Sequence, residues 1–117
     1  EEAVIVSLGG NDTTDMLLQN LPELPSARIV HLPVPQLPEL TLNGIYGELS
    51  MEKAEWKSHI KDQLKEILRY RPEAVFADNA MFSLYPIVHA LRKKHIPVLT
   101  VIEKDGQKLL VRIPSGS

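Results

Sequence analysis

The sequence contains no cysteine. Disulfides and thiolate metal sites are thereby excluded, and a reducing, cytoplasmic setting is expected. No run of about 18 apolar residues occurs, so no segment is expected to span a membrane. The first residues show no basic, then apolar, then small-residue pattern, so no signal peptide is expected. Basic charge is not in excess: 13 Lys and Arg stand against 15 Asp and Glu, a net charge of −2. A footprint on duplex nucleic acid needs a clear basic excess, so none is expected, whereas a small anionic ligand remains open. Neither G-x-G-x-x-G nor G-x-x-x-x-G-K-[ST] is present, which removes the dinucleotide fingerprint and the P-loop. There is no internal repeat and no low-complexity tract.

What is present suits one globular domain. The 117 residues are 44% apolar and 24% charged, and a chain of this size buries about two-thirds of its unfolded surface without staples. The expected domain covers 1–114, with 115–117 as a disordered tail. The sequence opens on Glu1 rather than Met, so further residues are expected before it.

Ala3 to Leu8 is a continuous apolar run apart from Ser7, the pattern of a strand buried on both faces. It ends in Gly9-Gly10, and Asn11, Asp12 and Thr13 are all good helix N-caps. A helix is expected from about Thr14 to Gln19, stopped by Pro22 and Pro25. Arg28 to Leu32 reads as the second strand. Pro33, Pro35 and Pro38 then predict an extended, irregular connection over 33–47, with turns at Asn43-Gly44 and Tyr46-Gly47. Such a long connection in a small domain is often functional. Ser50 can cap a helix from Met51 to Tyr70, in which Trp56, Ile60, Leu64, Ile67 and Leu68 share a face. Ala74 to Ala77 is the third strand. Ser83 can cap a helix from Leu84 to Lys94, and Pro97 to Ile102 is the fourth strand. Asp105-Gly106 is a two-residue hairpin signal joining it to an antiparallel edge strand, Lys108 to Ile113. The predicted architecture is a Rossmann-like three-layer α/β sandwich, its mostly parallel sheet ordered 2-1-3-4-5.

In such a sheet, ligands bind beyond the carboxyl ends of the strands where strand order reverses, here between the first and third strands. Two polar clusters end those strands: Ser7 with Gly9, Gly10, Asn11, Asp12 and Thr13, and Asp78-Asn79 with Phe82 and Ser83. Each leads into a helix N-terminus, whose free N–H groups and dipole favour anions such as phosphate. The plain alternative is a tight turn with its cap at each place. Asp12, Asp15 and Asp78 also invite a receiver-like reading, with Asp78 as phospho-acceptor and Lys104 as the Lys after the last strand. Among His31, His59, His89 and His95, no two are spaced to hold a metal on one helix turn. His31 ends the second strand near the ligand edge, where acid–base work is open to it beside a structural role. Lys53, Lys57, Lys61, Lys65 and Arg69 recur every four residues, but interleaved acids make a solvated face the expected reading. No metal and no cofactor are expected.

The run Arg71-Pro72-Glu73-Ala74-Val75-Phe76-Ala77-Asp78-Asn79, with Phe82-Ser83-Leu84, Ile87-Val88-His89-Ala90-Leu91 and His95-Ile96-Pro97-Val98-Leu99, resembles CRISPR-associated Rossmann-fold (CARF) domains and their small stand-alone ring nuclease relatives. Those proteins carry a polar pair after the strand, a helix opening on a small hydroxyl residue, and then Gly-Ile-Pro-Val. The opening Val4 to Thr13 is similar to their first strand and ligand loop. The resemblance covers about half of the chain. It implies a homodimer that binds a cyclic oligoadenylate across its two-fold axis, in type III CRISPR antiviral signalling. In ring nucleases it implies metal-independent cleavage, with a ribose 2′-hydroxyl attacking the adjacent phosphate. By position, Ser7, Asn11, Asp12, Thr13, Asp78, Asn79 and Ser83 would contact ligand, with Gly9, Gly10 and Phe82 beside them and Ser7, Asn11, Asp12 and His31 as catalytic candidates. A polyanion next to Asp12 and Asp78 needs a basic side chain turned inward, for which Arg28 and Lys104 are the candidates. The alternative is a non-catalytic flavodoxin- or receiver-like signalling or interaction module.

Overall fold

A computed structural model describes residues 3–34, 40–49, 53–78 and 85–113. The first strand, β1 (Val4–Leu8), is buried over Ile5 to Leu8, as its unbroken apolar run requires. It leads into helix α1 (Asp12–Gln19) and then to β2 (Arg28–Leu32). A separate two-stranded hairpin follows, β3 (Leu40–Asn43) against β4 (Tyr46–Leu49). Helix α2 (Lys53–Arg69), strand β5 (Ala74–Ala77), helix α3 (Tyr85–Lys93) and strands β6 (Val98–Lys104) and β7 (Gln107–Ile113) complete the chain.

Five strands form the main sheet in the order β2-β1-β5-β6-β7, parallel except for the β6–β7 edge. Counted along the sheet-forming strands, this is the expected 2-1-3-4-5. Alternation of side chains splits the core into two layers. Val6, Leu8, Val75, Ala77 and Val98 pack with Ile67 of α2 and with Ile87 and Leu91 of α3. Ile5, Ala74, Phe76 and Leu99 pack with Leu18 of α1 on the other face. The eight residues of α1 thus cover one face that the two longer helices cover on the other.

The irregular connection expected over 33–47 is corrected by the β3–β4 hairpin. Leu40, Leu42 and Asn43 pair with Leu49, Gly47 and Tyr46. Tyr46-Gly47 therefore lies in a strand, and the reversal falls at Gly44-Ile45. The three prolines dominate the sequence reading, yet all precede Leu40, and none interrupts the pairing. The Ser50 and Ser83 caps and the tail 115–117 lie outside the described residues. Asp105 and Gly106 both take positive φ, 53° and 79°, as a two-residue type I′ hairpin demands. Lys57, Lys61, Lys65 and Arg69 are exposed, and Arg69 pairs with Glu66 at 2.9 Å, so the basic stripe is a solvated face. Among the described residues no helix is long and apolar enough to cross a membrane.

Candidate functional site

The β1–α1 turn is held by its own side chains. Asn11 is the N-cap: its Oδ1 accepts the Thr14 N–H at 3.0 Å, and Thr14 Oγ1 accepts the Asn11 N–H at 2.7 Å. Thr14 Oγ1 also donates to the Asn11 carbonyl at 2.9 Å. This reciprocal capping box closes two of the four donors that open a helix, which leaves the N–H groups of Asp12 and Thr13 facing outward. Gly10 crosses directly above Ser7. A Cβ at Gly10 would run into Ser7 Oγ and stand 2.9 Å from Thr14 Oγ1, so only glycine fits. Ser7 itself is fully buried, and its Oγ has no hydrogen-bond partner among the described residues.

Parallel register sets the neighbours of this turn. Ser7 lies between His31 of β2 and Phe76 of β5, on the α1 face of the sheet. A cleft of about 370 Å³ opens beyond them, at the carboxyl end of β1 and β5. Gly9, Asn11 and Thr14 form one wall of it. Phe76 and Val101 supply an apolar floor, and Asp78 stands at the end of β5. The β6–β7 hairpin contributes Ile102, Glu103 and Lys108. Glu103 and Lys108 face each other across the hairpin, two residues beyond the Val101–Leu110 pair that packs on the α1 layer. Another depression, about 220 Å³, lies on the α2 face between Leu8, Leu32, Pro33, Gln63, Glu66 and Ile67 and is mostly apolar.

The structure thus gathers Gly9, Asn11 and Asp78 in one cleft at the expected switch point. Ser7 and Gly10 lie beneath it and support the turn. Asp12 and Thr13 are exposed on the first turn of α1 and do not line the cleft. His31 does not line it either: its Nε2 stands 2.9 Å from Asp15 Oδ2, with His31 half exposed. Asn79, Phe82 and Ser83 lie outside the described residues. Among the described residues no three His, Asp or Glu side chains gather as metal ligands, and of Asp12, Asp15 and Asp78 it is Asp78 that lines the cleft.

The two basic candidates are both displaced. Arg28 pairs with Val4 at the start of β1, the end of the sheet away from the cleft. Lys104 is one residue beyond Glu103, so alternation points it to the opposite face. Lys108 is the cation that lines the cleft instead. Phe76, Thr14, Val101, Glu103 and Lys108 were not among the sequence candidates. Two signals point to them: the Asn11-x-x-Thr14 capping spacing, and the register that Asp105-Gly106 imposes on the hairpin.

Compared with family models, with characterised proteins and with solved structures, the chain matches none.

Proposed function

We propose that this protein binds a cyclic oligoadenylate, seating one of its nucleotides in the cleft at the β1–β5 switch point. The observation that carries the reading is the composition of that cleft. Its apolar floor, the half-buried Val101 with the buried Phe76 beside it, suits a base. Asp78 and Asn11 offer acceptors and donors for a base edge or ribose hydroxyls. A cleft of about 370 Å³ is small for a ligand site, which suits a single nucleotide. A ring of four or six would extend beyond it, onto a second copy related by a two-fold axis.

Support is stronger for binding than for cleavage. Ring opening needs the ribose 2′-oxygen to attack phosphorus while the 5′-oxygen leaves, giving a 2′,3′-cyclic phosphate and a 5′-hydroxyl. Ser7 is buried beneath Gly10, and His31 is joined to Asp15 away from the cleft. Neither reaches a ligand seated there, and Asn11 spends its side-chain oxygen on the helix cap.

Thermal shift with cyclic tetra- and hexa-adenylate, linear tetra-adenylate and AMP tests the reading. Ligand at about 100 times its Kd should stabilise the protein by about 2.7 kcal/mol, a rise of several degrees in Tm. No shift with any cyclic oligoadenylate at micromolar protein sinks the reading. Incubation with EDTA and chromatography of the products then separates a sensor from a ring nuclease.

A further inference from the structure

We infer that Lys108, on the antiparallel β6–β7 edge, is the phosphate-binding residue of the cleft. The inference rests on the nucleotide reading of the same cleft. Among the described residues that line it, Lys108 is the one cation, against the carboxylates Asp78 and Glu103. Without it, the charged side chains that a phosphate would meet among the described lining residues are both negative. The hairpin register puts Lys108 opposite Glu103 and in line with Leu110, on the face that carries Val101 and the cleft floor. Lys108 is exposed and makes no ion pair among the described residues, so its ammonium is available to a ligand. Its alkyl stem can lie along the apolar hairpin surface while its head reaches the opening. The opposing wall is the capped turn that opens α1, Gly9 with Asn11 and Thr14, where the positive end of the helix dipole favours negative charge. Glu103 is the competing partner. The two form no ion pair among the described residues, and an exposed Lys–Glu pair would be weak, so the ammonium is left to a phosphate group.

This assigns the two halves of the ligand to different parts of the fold. The parallel strands β1 and β5 hold the nucleoside, and the appended antiparallel hairpin discriminates phosphate from hydroxyl.

The experiment measures adenosine, AMP and inorganic pyrophosphate binding by calorimetry, with wild-type protein, Lys108→Ala, Lys108→Arg and Glu103→Gln. Circular dichroism verifies that each variant is folded, as expected for exposed positions. A charge-assisted contact predicts that the wild type binds AMP about tenfold or more tightly than adenosine. Lys108→Ala should bring AMP down to the level of adenosine and leave adenosine unchanged. Lys108→Arg should keep most of the preference, and Glu103→Gln should strengthen it. An AMP-to-adenosine ratio near one in the wild type, or one unchanged in Lys108→Ala, overturns the inference and leaves the nucleotide reading standing. If neither adenosine nor AMP binds but pyrophosphate does, and only with Lys108 present, the nucleotide reading fails and the inference survives. If none of the three probes binds, both fall.

Discussion

Ser7, Gly10 and Thr14 show how tightly single residues constrain the turn below the cleft. Gly10 is required by sterics, since a Cβ there meets a hydroxyl held in a buried strand. Gly10→Ala should therefore cost about 1–3 kcal/mol in urea denaturation, the usual cost of overpacking. Removing the obstacle with Ser7→Ala should recover part of that loss, so the double-mutant cycle should give a coupling above about 0.5 kcal/mol. Additive effects would show that Gly10 is needed for some other reason. Ser7→Ala alone should be neutral or slightly stabilising, because it deletes a buried hydroxyl that has no partner among the described residues. Thr14→Ala removes the hydroxyl half of the capping box and should cost about 1 kcal/mol. An unchanged denaturation midpoint would show that water replaces the cap.

At the scale of elements, the end of α3 is set by one residue in the left-handed region. His95 takes φ of 59°, and its N–H donates to the Arg92 carbonyl while the Ile96 N–H reaches Leu91. These two bonds are the Schellman ending, which favours glycine at the position His95 occupies. His95→Gly should therefore raise stability by about 1 kcal/mol by relieving the left-handed conformation, and a lower Tm would contradict this account. The β6–β7 hairpin carries the same kind of determinism. Asp105-Gly106 sets the register, and the register decides that Glu103 and Lys108 share the cleft face while Lys104 does not. A one-residue slip would exchange them. The β3–β4 hairpin was less legible. Its strands are four residues each, and the proline-rich stretch before them outweighs so short an alternation.

For the whole molecule, the sheet order brings the ends of β1, β5 and the β6–β7 hairpin to one place. Residues far apart in the chain, Gly9, Asp78 and Lys108 among them, thereby line a single cleft. Because α1 has only eight residues, the sheet surface at Val101 is left partly open beside it, while Phe76 stays buried. On the other face, the depression beside α2 is mostly apolar. If the cleft is the ligand site, Asp78→Asn should weaken or redirect nucleoside binding. An Ala substitution at His31, tied to Asp15 and absent from the cleft lining, should leave nucleoside binding nearly unchanged. A loss with His31→Ala equal to that with Asp78→Asn would move the site to the β2 side of α1.

The sequence by itself determined the α/β class, the order of the main strands and the edge on which a site would lie. Those follow from local signals: unbroken apolar runs, glycine and proline punctuation, caps, and one Asp-Gly turn. It also marked Gly9, Asn11 and Asp78, because strand ends are visible in the pattern. The tertiary structure alone decided which charges meet there. Arg28 and Lys104 were as basic as Lys108, but which end of a strand and which face a residue occupies depend on register with a partner strand. That register removed the first two and brought Lys108 to the cleft. His31 and Ser7 were likewise marked at strand ends, and packing of α1 set one aside against Asp15 and buried the other under Gly10.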